Sequence, residues 1–230
     1  MLESQKHAFW QALLVTILIF GIGILLGFIL ENWRTSKIDL LAQESEIDLL
    51  DIKLQSEIYS ESDFDCGSAV EENINFAERV FEEAKLLEKY DSASRLTEDV
   101  KIQHKKYDVL RAMLLLNSQR IKERCNAEYY EIVYFYQFNE PSLDTKSKQN
   151  VFSKMLMDFK ERKGSEVLLI PMSGDNGVVS INLIMESYGI SVKDLPVIVV
   201  NGELKIKEIM SVDEFEESIE NGFVDNVIRL

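Results

Sequence analysis

The chain has 230 residues, of which 40 are acidic and 25 basic, and its formal net charge is −15 at pH 7. Such an acidic protein lacks the basic face that wraps nucleic-acid phosphates, so we expect no nucleic-acid partner. Two cysteines and two histidines, His7 and His104, are too few for a Cys/His zinc site away from the N-terminus, and no cofactor is expected.

The first predicted element is a membrane anchor over residues 1–33. The run Ala8–Leu30 contains no charged side chain. As a helix it would rise about 35 Å, enough to cross a hydrocarbon core of roughly 30 Å, so the lipid bilayer is the first expected partner. A cleaved signal peptide is the alternative, but its apolar region is shorter and ends in a small-x-small site, which residues 28–33 lack.

Glycines and flanking charges bear on the assembly and orientation of the anchor. Gly23 and Gly27 form a small-residue motif through which two anchors could pack as a homodimer, although glycine is common in membrane helices in any case. Lys6 precedes the apolar run, whereas Arg34 and Lys37 follow it. This near balance of positive charge leaves the orientation undecided.

Residues 34–62 are predicted to form a helical stalk. Leu40, Ile47 and Leu54 repeat at intervals of seven, with Leu50 between them, which is a short heptad pattern. The pattern fits either a coiled-coil extension of the anchor or a helix packed on its own domain, and the sequence leaves both open.

Residues 63–126 are predicted to form a helical hairpin. Ser68–Glu71 has the form of a capping box that begins the first helix, which is expected to end near Tyr90. The second helix is expected over about residues 94–124. The short link Asp91–Ala93 favours antiparallel packing of the two helices.

Cys66 precedes the first hairpin helix and Cys125 follows the second. Antiparallel packing brings these ends to the same side, so we predict a disulfide, with two unpaired thiols as the alternative. The predicted helices differ by about eight residues, so the loop before the first would have to absorb about 12 Å. Because disulfides persist outside the reducing cytosol, residues 31–230 are predicted to be extracytoplasmic.

From Glu128 the pattern changes to that of an α/β domain, assigned to residues 127–230. The predicted strands lie at 129–136, 166–171, 196–200 and 203–210, with a tight turn at Asn201-Gly202 between the last two. The predicted helices lie at 142–163, 178–188 and 212–220. The order β-α-β-α-β-β-α favours parallel pairing followed by one antiparallel hairpin.

Two further features of this half carry little function by themselves. The Gly174–Gly177 loop precedes a helix but lacks the lysine of a phosphate-binding loop, and Asp175 would repel phosphate, so a tight loop is predicted. His104 lies among polar residues on its helix and is assigned no function.

The element order and one stretch of sequence resemble the thioredoxin superfamily. Tyr188-Gly189-Ile190, then Leu195-Pro196, a strand and Asn201-Gly202-Glu203 are similar to the family's helix, cis-proline and hairpin. The resemblance covers roughly residues 128–222. It implies a thioredoxin-like fold in which Pro196 takes the place of the cis-proline and shapes a groove for extended peptides.

The chain departs from the family at the redox motif. Members carry a Cys-Gly-Pro-Cys type motif after the first strand, whereas this chain has Asn139-Glu140-Pro141-Ser142. Thiol–disulfide exchange requires a thiolate, which neither amide nor hydroxyl provides, and Ser142 is suited to be a helix N-cap. The resemblance thus implies a non-catalytic domain with six groove residues: Phe138, Asn139, Pro141, Ser142, Leu195 and Pro196.

The sequence therefore predicts an α/β thioredoxin-like C-terminal domain preceded by a transmembrane helix and an α-helical stalk and hairpin. The predicted function is binding of an unidentified protein or peptide near the membrane, without enzymatic activity. Two alternatives stay open. One is an oxidoreductase that uses Cys66 and Cys125 as an exchangeable pair, and the other is a structural membrane scaffold in which anchor and stalk oligomerise.

Overall fold

The computed structural model describes the backbone of residues 2–61, 63–93, 98–220 and 228–229. Side chains are described at residues 9–32, 43, 46–60, 63–82 and 101–220. Backbone contacts divide the chain into two units, Met1–Glu46 and Ile47–Leu230. The four segments predicted from the sequence, 1–33, 34–62, 63–126 and 127–230, stay a prediction.

The first unit contains most of helix α1, which covers Leu2–Glu61. Its stretch Phe9–Asn32 has a mean hydropathy of 3.0 and is not buried against other residues. By length and composition this helix can cross a membrane. Thr16 donates its hydroxyl to the carbonyl of Ala12 (2.8 Å), so its polar group is satisfied within the helix. Packing of two anchors through Gly23 and Gly27 stays a prediction.

The second unit is built on a mixed sheet in the order β2-β1-β3-β4-β5. Strands β1 and β2 are parallel, whereas β3 runs antiparallel to both β1 and β4. The parallel pair and the final hairpin were predicted from the element order. The strand bounds are β1 Tyr130–Tyr136, β2 Val167–Ser173, β3 Val197–Val200, β4 Leu204–Ile206 and β5 Ile228–Arg229.

Strand β4 is shorter than the predicted 203–210. In the observed register Ile206 pairs with Ile198, so the next residues of β4 would lie opposite Val197 and Pro196. Proline has no N–H to donate to the ladder, which explains why the pairing stops there. At the other end of the hairpin, Asn201 and Gly202 both have positive φ (50° and 73°), as the predicted tight turn requires.

Helices cover both faces of the sheet. Helices α4 (Leu143–Lys163) and α6 (Val212–Glu220) pack with Ile132 and Tyr134 of β1 on one face. The alternate residues Val133 and Phe135 face the other side. That side is covered by three helices: α2 Cys66–Ala93, α3 Glu98–Cys125 and α5 Val179–Ser187.

The start of α2 differs from the prediction. The carboxylate of Asp65 accepts a hydrogen bond from the Ser68 backbone N–H (2.8 Å), so Asp65 caps a helix that begins at Cys66. The capping box predicted at Ser68–Glu71 is therefore wrong, because those residues lie inside the helix. Helices α2 and α3 each have 28 residues, so the expected mismatch of about 12 Å does not arise. The predicted start of the second helix at Ser94 lies outside the described residues.

The last turns of α1 pack on α3 within the second unit. Ile52 and Tyr59 are buried there. Helix α1 has no basic residue in its last turn, and α3 supplies the missing cations. Arg120 donates to the Ser56 carbonyl (3.3 Å) and Arg124 to the Tyr59 carbonyl (2.7 Å). Of the two alternatives for this segment, packing on its own domain therefore holds for residues 47–61.

Candidate binding site at the carboxyl end of the first strand

The loop after β1 and the residues before β3 meet at one end of the sheet. The antiparallel register of these strands ends with Phe135 opposite Val197, so Pro196 lies beside the start of the loop. The Leu195–Pro196 peptide bond is cis, as the resemblance implied. Pro196 itself is buried, whereas Leu195 is half-buried. The six predicted groove residues are thus divided between two neighbouring segments.

Asp175 fixes the loop after β1. Its carboxylate accepts hydrogen bonds from the backbone N–H groups of Phe138 (2.7 Å) and Asn139 (2.9 Å). In return the Asn139 side-chain amide donates to the carbonyl of Asp175 (2.8 Å). The tight loop predicted at 174–177 therefore clamps the start of the segment Phe138–Ser142. Asn139 is occupied as part of this clamp.

Two glutamines and a helix cap hold the rest of the loop. The Gln149 side chain accepts from the Gln137 backbone N–H and donates to the Gln137 carbonyl, both at 3.1 Å. Ser142 accepts from the Thr145 backbone N–H (3.1 Å), which confirms it as the N-cap of α4. Pro141, between the clamp and the cap, is half-buried. The backbone of the loop is thus held by three sets of hydrogen bonds, those of Asp175, of Gln149 and of the Ser142 cap.

Asp108 of α3 binds the residues on both sides of the Asp175 loop segment. This buried carboxylate accepts from the backbone N–H of Ser173 and from the side-chain amide of Asn176, both at 3.1 Å. The Arg111 Nη1 atom lies 3.7 Å from Asp108 Oδ1. Burial raises the pKa of Asp108, although Arg111 and the hydrogen bonds oppose the shift. Asp108 therefore ties the helical hairpin to the β2–α5 loop that carries Asp175.

His104 of α3, to which the sequence assigned no function, contacts the loop after β1. Its ring centroid lies 4.5 Å from that of Phe138. The contact covers one side of the Phe138 ring, which is half-buried. No sequence signal pointed to this pair, because its members are far apart in the chain and belong to different predicted domains.

Leu195 packs closely on the β2–α5 loop. A side chain at Gly174 would place its Cβ 2.8 Å from Leu195 Cδ1 and from Met185 Sδ. A larger residue at position 174 would therefore require the ends of the Leu195 and Met185 side chains to shift. Gly174 also donates its N–H to the carbonyl of Tyr136 (2.9 Å). The segment before Pro196 is therefore held against the same loop as Phe138 and Asn139.

Large apolar side chains remain exposed at this end of the unit. Leu143 begins α4 and is 84% exposed, and Val179 begins α5 and is 70% exposed. A rigid loop bordered by exposed apolar groups can bind an apolar segment of another molecule. The loop after β1 contains no cysteine and therefore offers no thiol.

The disulfide lies at the opposite end of α3. Cys66 and Cys125 are bonded, with their Cα atoms 5.5 Å apart, as predicted. About 30 Å of helix separates Cys125 from His104. The bridge is therefore far from the loop that Phe138 and Asn139 occupy.

A closed polar network also lies toward that end. Glu131 of β1 is buried and accepts from the Ser118 hydroxyl (2.5 Å) and, at 3.5 Å, from the Gln119 amide. Burial raises the pKa of Glu131, and it raises the pKa of the adjacent Tyr129 to about 12. Lys122 donates to the carbonyl of Tyr129 (2.8 Å). The network joins α3 to the sheet.

Within the described part of the chain, no group of three or more His, Cys, Asp or Glu side chains is arranged to hold a metal ion. No protein-family model matches the chain, and neither a curated protein nor a solved structure is significantly similar to it. The described residues define a mixed α/β protein whose N-terminal helix is long and apolar enough to span a membrane.

Proposed function

We propose that this chain is a membrane-anchored, redox-inactive thioredoxin-like protein that binds a peptide or protein segment at the carboxyl end of β1. The observation that carries the proposal is the rigid loop Phe138–Ser142, held by Asp175 and bordered by the exposed Leu143 and Val179. A preorganised apolar surface binds a partner without first ordering its own loop.

The sheet supports the thioredoxin-like part of this proposal. A parallel pair β1–β2 is followed by the antiparallel hairpin β3–β4 and then by α6, in the order that the resemblance implies. The bonding of Asn139 and Ser142 supports the redox-inactive part. Asn139 belongs to the Asp175 clamp and Ser142 caps α4, so both positions have structural roles.

The anchor and the disulfide support the proposed location. Phe9–Asn32 would cross the bilayer, and residues 31–230 would lie on its extracytoplasmic side, where a Cys66–Cys125 bridge persists. The oxidoreductase alternative has less support, because about 30 Å of α3 lies between the bridge and the clamped loop. Treatment of the native and the unfolded chain with a mild thiol, followed by titration of free cysteine thiols, distinguishes the binding protein from the oxidoreductase. An exchangeable pair would be reduced in the native state.

Site-specific photo-crosslinking in intact cells tests the binding site. A benzophenone amino acid at position 143 or 179 of the full chain should give the same discrete adduct, and the matched control at the exposed Leu116, on the distant half of α3, should not. Replacing Phe138 by alanine should remove the adduct. The proposal is rejected if positions 143, 179 and 116 give indistinguishable patterns, or if Phe138→Ala leaves the adduct unchanged.

A further inference from the structure

A second exposed apolar surface lies on the last turns of α1, within the second unit. Ile47, Leu50, Leu54 and Ile58, here called the outer stripe, are between 49% and 67% exposed. Their spacing of three, four and four places them on one face of the helix. Leu40, which continues the heptad pattern in the sequence, has no described side chain.

The same segment buries its opposite face. Ile52 and Tyr59 are buried and Leu49 packs against the core that includes α3. At about 100° per residue, this inner face and the outer stripe lie roughly 180° apart on the helix. The outer stripe therefore lies on the side of the helix that faces away from the core of the second unit. The segment is thus apolar on two opposite faces, and the described part of the chain covers only the inner face.

The surroundings of the outer stripe are acidic. The last turns of α1, residues 47–60, contain three acidic side chains, Asp48, Asp51 and Glu57, and one basic side chain, Lys53. Asp51 and Glu57 flank the stripe and are exposed. The arginines of the adjacent part of α3 are turned to the inner face, where Arg120 and Arg124 bind carbonyls of α1.

We propose that the outer stripe binds an amphipathic helix of another protein whose apolar face is flanked by lysine and arginine. Leucine-sized side chains of that helix would cover Ile47, Leu50, Leu54 and Ile58, and its cations would lie beside Asp51 and Glu57. A second copy of this chain fits less well, because it would bring the same carboxylates against each other. This surface goes beyond the proposed function, since it adjoins the Asn117–Arg124 half of α3, whereas Phe138 adjoins His104 in the other half.

Two labelled peptides test the proposal with the full chain in phosphatidylcholine nanodiscs. Both are short helices with the same leucine stripe, one flanked by lysine and the other by glutamate. By fluorescence anisotropy, with empty nanodiscs subtracted, the lysine peptide should bind at least about tenfold more tightly than the glutamate peptide. Raising the salt concentration should reduce this difference, because the flanking charges are exposed.

Matched variants locate the binding. The double variant L50Q/L54Q removes apolar surface without changing charge and should abolish binding of the lysine peptide. L183Q, at an equally exposed leucine of α5, should leave it unchanged. The double variant D51K/E57K should reverse the preference between the peptides. Phe138→Ala should have no effect here, so failure of this proposal is distinguishable from failure of the proposed function.

The proposal is overturned if L50Q/L54Q binds the lysine peptide as the wild type does, or if the two peptides bind the wild type equally. It is also overturned if sedimentation shows a dimer of the wild type that L50Q/L54Q abolishes, because the stripe would then be covered by a second copy.

Discussion

Both halves of α3 are joined to the sheet through a buried carboxylate, but the surfaces around the two carboxylates differ. The half near the start of α3 is called the open end below, and the half near Cys125 is called the closed end. Near the start of α3, the buried Asp108 supports a clamped loop, and Leu143 and Val179 stay exposed around that loop. Toward its end, the buried Glu131 is enclosed by Ser118, Gln119 and Tyr129, and the disulfide closes the helix pair. A buried carboxylate thus fixes the backbone in both places, but only in the first place do exposed apolar side chains border the loop that it supports.

The largest expected effect on stability comes from removing the disulfide at the closed end. Replacing both cysteines by serine opens a loop spanning 59 positions and should lower the free energy of unfolding by about 4 kcal/mol. Urea denaturation of the full chain in detergent measures it, with reduced wild type as the matched control. A loss below about 1 kcal/mol would mean that the bridge constrains the unfolded chain little.

The next largest effect is expected at the open end, from substitution of the buried Asp108. Asp108→Ala should cost about 3 kcal/mol, because the Ser173 N–H and the Asn176 amide lose their buried acceptor. Asp108→Asn keeps one carbonyl oxygen and should cost about half as much. The same variants should weaken crosslinking at position 143. Unchanged crosslinking in a destabilised Asp108→Ala protein would show that the clamp does not depend on α3.

A smaller, pH-dependent effect tests the burial of Glu131. Because burial raises the pKa of this carboxyl, the folded state favours its protonated form. The wild type should therefore gain stability relative to Glu131→Gln as the pH falls from neutrality toward 4.5, the ordinary pKa, and lose that gain as the pH rises again. Chemical denaturation at several pH values measures the difference. A difference independent of pH, or one that grows with rising pH, contradicts the burial argument.

The smallest expected effect on stability comes from the exposed rim of the open end. Leu143→Gln should change the free energy of unfolding by less than about 0.5 kcal/mol, because the side chain is 84% exposed. It should nevertheless reduce the adduct formed from position 179. Thermal denaturation and crosslinking of the same preparation separate the two readouts, and a stability loss without a change in adduct would assign Leu143 to packing instead.

Local signals in the sequence predicted much of the fold. Ser142 caps α4 through Thr145, three residues away, and Asn201-Gly202 forms its turn from its own backbone preferences. The start of α2 shows the limit of such signals, since Asp65 and Ser68 were both chemically suitable caps and only the structure identifies Asp65. The predicted end of β4 was wrong for a different reason. The residue that stops the pairing, Pro196, belongs to the neighbouring strand segment and not to β4 itself.

The sequence by itself determined the long apolar segment near the N-terminus, the α/β element order, the cysteine pair and the absence of cysteine from the loop after β1. Each depends on composition or on residues within a few positions of one another. Only the tertiary structure placed Asp108 and His104 of α3 beside the loops that carry Asp175 and Phe138. It also turned one apolar face of residues 47–61 inward and the other outward. The physical reason is that these contacts depend on how helices pack across a sheet, and periodicity shows that a face is apolar without showing which neighbour covers it.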